Sequence, residues 1–299
     1  MTKQYSYGVI TDEISQDLEE ALALARELGM SHVEIGTVWD QQVTDLGPED
    51  AARAKALLDR YGLQVHMICG LLFRPFSLVD VDIETLDSHP RFLEHIAQLD
   101  RSIAIAHAFG APYIRTFACS REGSGGNPSP RHPDGGGVSE DALAKIAKAL
   151  RLAAEHAQQQ GITLALENAR AFYANTGGGQ RQVVDAVNHP NLKIIWDPAN
   201  AFVAGETAFP DGWERVKGDV VDVHCKDARV VDDETGLTEW VPIGDGGVDW
   251  RGQLAALHRT DITHLTVETH WHPKGSTRGE DTAHVYRQLK SIVESSMES

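Results

Sequence analysis

Four short apolar runs in the second half of the chain each end at a residue able to bind a metal ion: Glu167 in ITLALEN, Asp197 in LKIIWDP, His224 in VVDVHCKD and Glu268 in HLTVETH. Three carboxylates and one imidazole suit a hard or borderline divalent cation. Taken singly, each has a plainer explanation. A lone acidic group at a strand end is usually an ion pair or a helix cap, and a lone histidine is more often a hydrogen-bonded core residue than a ligand. The repetition carries the information, because a barrel enzyme assembles one site from the C-terminal ends of successive strands. Crowded at one mouth, these groups would set roughly three negative charges within a few ångströms, which is unfavourable unless a cation neutralises them or protons are taken up.

Positioning such a set requires strands of the right number and phase. Strand-like runs recur near residues 7–14, 32–36, 64–69, 112–118, 162–168, 192–198, 220–225 and 264–270, mostly separated by helix-like stretches. Eight such alternations predict a (β/α)8 barrel, read as one domain over residues 1–299. Within a strand, side chains alternate between the helix-covered outside and the lumen. Ile162, Leu164 and Leu166 then face outward and Thr163, Ala165 and Glu167 inward; the same alternation sets Asp197, His224 and Glu268 inward. Steps of 30, 27 and 44 residues separate the four, about one strand–helix unit each, with a longer loop around residues 228–247 in the last. Glu34 and His66 take inward parity in the second and third strands, the latter opposite Val65 and Met67. The first and fourth strands leave open which of Asp12, Glu13 and Arg115 faces the lumen.

Helix ends are also legible. Ser15 is a candidate cap for SQDLEEALALAREL with Gly29 terminating it, and Ser139 for a stretch bearing Leu143, Ile146 and Leu150 that stops at Gly161. Residues 118–140, ACSREGSGGNPSPRHPDGGGVSE, are too rich in Gly, Pro and Ser to read as regular structure and follow the fourth strand, where a loop can act as a lid. The glycines of NTGGGQ, residues 175–180, lack the lysine of a phosphate-binding loop and read as a flexible turn.

Composition removes several function classes. A chain of 299 residues with 41% hydrophobic and 24% charged residues can bury a sizeable core and is not a disordered sequence. Its net charge of −17 repels nucleic-acid phosphates, and no Lys/Arg block offsets this. No apolar run approaches the roughly 18 residues of a membrane span, and no signal-peptide core follows the N-terminus. Cys69, Cys119 and Cys225 show no CxxC spacing, which fits free thiols in a reducing compartment. A cytoplasmic protein without nucleic-acid or membrane partners is expected.

The segments LALEN, WDPAN, VHCKD and VET, with the later IGDGGVDW, resemble the xylose isomerase-like TIM barrel superfamily of sugar and sugar-phosphate isomerases and epimerases, over nearly the whole chain. The resemblance implies that Glu167, Asp197, His224 and Glu268 hold one divalent ion, Mn²⁺ first and Mg²⁺ or Co²⁺ otherwise. It also implies that Glu167 and Glu268 exchange a proton with a ketose from opposite faces, through an enediolate that the metal stabilises. Many relatives carry DxxH after the sixth strand, whereas this chain reads Asp197, Pro198, Ala199, Asn200; the missing histidine favours a mononuclear site. The endonuclease IV branch, which uses further histidines, fits less well for that reason and because Arg115 and Thr116 occupy the fourth strand. Asn200, Lys226, Arg115, Glu34 and His66 are candidate substrate contacts, with an ion pair to a barrel carboxylate the alternative for Lys226. His270 and His272 share the parity of Glu268 and suit a pocket wall.

The leading expectation is a metal-dependent isomerase or epimerase acting on a small carbohydrate or polyol, a ketose, sugar-phosphate-like compound, keto acid or related polyol derivative, assembling as the dimers or tetramers common among the resembling proteins. A lyase is the runner-up, because an enediolate can also expel a leaving group β to the carbonyl, as in dehydration of a keto-inositol or cleavage of an oxidised glycoside. A non-catalytic sugar-binding or metal-binding barrel is the third.

Overall fold

The computed structural model describes residues 3–121 and 138–297. Eight parallel strands close into a barrel: β1 (Ser6–Ile10), β2 (His32–Ile35), β3 (Gln64–Leu72), β4 (Tyr113–Thr116), β5 (Thr163–Glu167), β6 (Leu192–Trp196), β7 (Val220–Cys225) and β8 (His264–Val267), with β1 paired to both β2 and β8. Each strand begins within two residues of the run that predicts it. Helices α1 (Leu18–Glu27), α2 (Pro48–Tyr61), α3 (Pro90–Phe109), α4 (Glu140–Gln159), α5 (Gly177–Val187), α6 (Pro198–Ala204), α7 (Trp213–Val216), α8 (Trp250–Leu257) and α9 (Arg278–Met297) follow the strands and wrap the outside. None is long and apolar enough to cross a membrane.

The period-two pattern explains where the core lies. Outward residues such as Val33, Ile114, Leu164, Ile194, Trp196, Val223 and Leu265 join the large cluster that packs under the helices, all fully buried. Inside the barrel a much smaller apolar plug of Met67, Cys69, Ala165 and Ile195 remains. Strict alternation would set Met67 outward. The register between β2 and β3 slips between Val33 and Glu34, so that an extra β3 residue is inserted; the bulge resets the alternation after His66 and turns Met67 and Cys69 into the lumen.

Local chemistry sets the helix ends. Ser139 caps α4 as expected, its Oγ accepting from the Ala142 N–H at 3.2 Å. At α1 the cap is Asp17 rather than Ser15, because its carboxylate accepts from Glu19 and Glu20 at 2.8 and 3.1 Å while Ser15 Oγ accepts from the Asp17 N–H. NTGGGQ is not a flexible turn. Thr176 caps α5, and the Glu206 carboxylate accepts from the Gly177 and Gly178 N–H groups at 2.7 and 3.0 Å. A Cβ at Gly177 would collide with the Gly212 backbone, so a glycine-built first turn lets the two segments touch.

The connections after the strands are more regular than composition suggests. Residues 228–247 are not a plain loop, since Asp227–Asp232 and Leu237–Val241 pair as an antiparallel hairpin. Within residues 118–140, Ala118–Ser120 pairs with Phe172–Tyr173 in a short two-stranded sheet. The remainder of that expected lid, residues 122–137, lies outside the described residues.

Candidate metal centre and active site

Glu167 ends β5, Asp197 follows β6, His224 is the penultimate residue of β7 and Glu268 follows β8. Their ligand atoms all lie within 4.8 Å of one another and all four residues are buried. Asp197 also caps α6, accepting from the Asn200 N–H at 2.8 Å, so the start of that helix fixes the carboxylate beside the site. Asn168, next to Glu167, clamps the same point from β5: its side chain donates to the Asp197 carbonyl at 2.8 Å and accepts from the Asp197 N–H at 2.9 Å.

His224 carries the clearest sign of a ligand that the protein alone does not supply. Its Nε2 lies 3.1 Å from Glu34 Oε2, and a carboxylate accepts but does not donate, so the hydrogen sits on Nε2. That leaves Nδ1 facing Glu268 and Glu167 at 3.5 and 3.8 Å, fully buried and without a hydrogen-bond partner among the described residues. An imidazole fixed by a carboxylate on one nitrogen, with the other aimed into a ring of acidic groups, is the arrangement of a metal-ligating histidine. Burial disfavours the imidazolium, but Glu34, Glu167 and Glu268 outweigh it and push the histidine well above its usual range. A proton and a divalent ion therefore compete for the same lone pair.

The remaining charges are held by cations. Lys226 Nζ lies 2.8 Å from Asp197 Oδ2 and 2.6 Å from Glu268 Oε2, and Arg115 Nη1 lies 3.0 Å from Glu167 Oε2. Burial raises the Asp197 carboxyl to about 6 against the pull of Lys226, with Glu268 and Glu167 adding to the rise. Glu268 goes the other way: burial opposes its ionisation, yet Lys226, His270 and His224 hold it well below the usual carboxylate range. Burial would lower Lys226 as well, but Asp197, Glu268 and Glu167 keep it charged. Charge here is balanced within the site rather than by solvent.

A cavity of about 400 Å³ opens above these groups, with Glu167, Glu268, Arg115, Asn200 and Lys226 in its wall. Asn200 Nδ2 donates to Asp197 Oδ2 and the Asn168 carbonyl at 2.8 Å each, and reaches Glu167 Oε1 at 3.4 Å. Of the five expected substrate contacts, Arg115, Asn200 and Lys226 thus reach the cavity. Glu34 and His66 do not. Glu34 lies beneath the site and holds His224, Cys69 Sγ at 2.9 Å and Thr266 Oγ1 at 3.3 Å. His66 sits on the bulge near the start of β3, stacked on His264 with ring centroids 4.0 Å apart, at the opposite end of the barrel. Inward parity is right for both; depth along the barrel decides the rest.

The cavity also contains residues that parity could not supply. Asp12 and Glu13 come from the helical turn Thr11–Glu13 after β1, Trp240 from the hairpin, and Arg74 and Arg170 from segments following β3 and β5. His270 lines the wall as expected, 3.5 Å from Glu268 Oε1, whereas His272 turns to Asp281 at 3.0 Å. The alternation of LTEWV after Gly236 was the available signal for Trp240; nothing in the sequence singles out Arg74.

The sequence profile of the xylose isomerase-like TIM barrel family matches residues 22–292. The chain belongs to that family. No curated protein sequence matches it closely. Among solved structures of this family fold, D-allulose 3-epimerase from Methylomonas sp. superposes with a TM-score of 0.70 at 19% identity, covering 97% of this chain and 98% of that one. The probable 3-DHS dehydratase AsbF of Bacillus anthracis gives 0.69 at 17% identity, over 95% and 98%. The IOLI protein with a bound zinc atom gives 0.73 at 17% identity, over 97% and 98%. At these identities the likeness is one of fold.

Proposed function

We propose that this member of the xylose isomerase-like family is a divalent-metal-dependent enzyme that transfers a proton at the carbon next to a carbonyl in a small ketose or keto-polyol, with epimerisation or isomerisation as the outcome. The observation that carries the reading is the buried set Glu167, Asp197, His224 and Glu268 at the floor of an open cavity, with His224 Nδ1 orphaned among the carboxylates. These four residues would hold the ion, and their oxygen-rich donor set fits Mn²⁺, Mg²⁺ or Co²⁺. When bound, the ion would polarise a substrate carbonyl and acidify the neighbouring C–H.

The chain's own residues would do the rest. Glu167 and Glu268 both reach the cavity and would serve as the base that removes the proton and the acid that returns it. Arg115 on Glu167 Oε2 and Asn200 near Oε1 orient the first carboxylate. Glu268 directs Oε2 to Lys226 and Oε1 toward His270, so a proton given to or taken from it has a titratable neighbour. The plane of Trp240, 5.2 Å from Lys226 Nζ, would cover that side of a bound sugar and keep water from the ammonium.

A second reading, β-elimination by a dehydratase or lyase, draws on His270: at 3.5 Å from Glu268 it could protonate a departing hydroxyl after the same first proton abstraction. The likeness to a dehydratase among the solved structures is consistent with it. Two measurements test the proposal. Metal analysis of the purified protein should find close to one equivalent of divalent ion after loading with Mn²⁺; no uptake would sink it. Incubation with ketoses in D₂O should return a sugar of unchanged skeleton labelled at one carbon, whereas an unsaturated product would select the lyase. Glu167→Gln and Glu268→Gln should each lower turnover by roughly 10²–10⁴-fold, the usual weight of a general acid or base.

A further inference from the structure

One wall of the cavity holds a cation, Arg74, with no acid among the described residues to answer it. Arg74 follows β3, and its guanidinium lies over two aromatic rings, 5.8 Å from the centre of Phe117 and 5.7 Å from that of Phe172, rings that are themselves 4.9 Å apart. Among the described residues it has no ion pair or side-chain hydrogen bond. The carboxylates whose field it feels, Glu167 and Glu268, are already engaged by Arg115 and Lys226. Arg115 lies over the same Phe117 ring at 5.1 Å, so two guanidinium groups contact one aromatic ring. Burial and the neighbouring Arg115 both act against the charge on Arg74. Arg74 is exposed at the cavity wall beside a like charge, where its planar fork can meet an oxyanion in two-point fashion.

Resting on the proposed proton-transfer site, we infer that the substrate of this enzyme is anionic, carrying a carboxylate or phosphate that Arg74 binds over Phe117 and Phe172 while the carbonyl end lies at Glu167 and Glu268. The cavity makes the placement feasible, since Arg74, Phe117, Phe172 and the two glutamates line one continuous space. It also accounts for an arginine at this wall in a chain of net charge −17, where long-range attraction of an anion is weak and binding must be local.

Matched ligand pairs, each an anion beside its neutral counterpart, test this directly. Isothermal titration of the full chain, both metal-free and loaded with Mn²⁺, would compare D-fructose with D-fructose 6-phosphate and D-glucitol with D-gluconate. In at least one pair the anionic member should bind tenfold or more tightly than its neutral partner, and the pair that responds identifies phosphate or carboxylate. Arg74→Gln should erase that advantage while leaving the neutral members unchanged, and Arg74→Lys, which keeps the charge but not the fork, should retain part of it. Equal binding within both pairs, or an advantage that survives Arg74→Gln, would overturn the inference. Preference in the metal-free protein separates the outcomes: it would stand even if metal loading failed and removed the proposed chemistry.

Discussion

At the scale of single residues, Glu34 decides how His224 presents itself. A buried glutamate accepting from Nε2 leaves Nδ1 as the only nitrogen available to an ion, and it holds the ring plane in place. Glu34 is itself locked by Thr266 and by a hydrogen bond with Asp222, whose carboxyl is pushed well up by burial and by the charge of Glu34. One proton shared between two buried carboxyls keeps the pair singly charged. Glu34→Gln, which keeps an accepting oxygen but loses the charge that makes His224 a better ligand, should therefore weaken Mn²⁺ binding by roughly 10–100-fold, the usual cost of altering such a supporting partner, with the fold intact. Titration of the chelator-treated variant with Mn²⁺ measures it, and parental affinity would show that Glu34 does not orient the ligand.

At the scale of elements, Asp227 ties the hairpin to the segment IGDGGVDW. Its carboxylate accepts from the N–H groups of Ala228, Gly244 and Val248 at 2.8, 3.0 and 3.2 Å, fully buried between β7 and α8. The hairpin carries Trp240 to the cavity, so this anchor places a wall of the site. A Cβ at Gly246 would overlap the Asp227 carboxylate and the Ala228 carbonyl. Gly246→Ala should accordingly cost about 1–3 kcal/mol, as forced overpacking does. It should also raise KM more than it lowers kcat, since Trp240 would shift and the glutamates would not. Urea unfolding and steady-state kinetics read the two effects; an unaltered midpoint would mean the segment yields without strain.

At the scale of the whole molecule, the two ends of the barrel are built for opposite purposes. The mouth concentrates charge, whereas the base buries neutral histidines: burial lowers His66 to about 4 and His32 to about 3, the latter also repelled by His66. Both folded values lie below the unfolded reference near 6.5. Between those limits these two histidines bind more protons in the unfolded chain than in the native one, so their contribution to stability is complete above pH 6.5 and is lost as the pH is lowered toward 4. Two such groups give a slope of at most about 2.7 kcal/mol per pH unit. Urea midpoints from pH 7 to pH 4 should show the decline, and His66→Gln should make it shallower. A slope identical in the variant would assign the loss to other groups.

The sequence by itself determined the number of strands, their order and the inward side of most of them, because period-two burial and strand-to-helix alternation are local patterns written directly in residue type. It also singled out the four carboxylate and imidazole positions, since each closes an apolar run. Tertiary structure decided what alternation cannot express. A bulge at His66 reset the phase of β3 and brought Met67 inside, and depth along the lumen separated Arg115, Asn200 and Lys226 from Glu34 and His66 although inward parity suits all five to the substrate. Arg74, Trp240, Asp12 and Glu13 meet the site only because barrel closure brings loops distant in sequence over one mouth. Parity is fixed by the neighbouring residue on the chain, whereas proximity across a closed barrel is fixed by its register, which no single strand specifies.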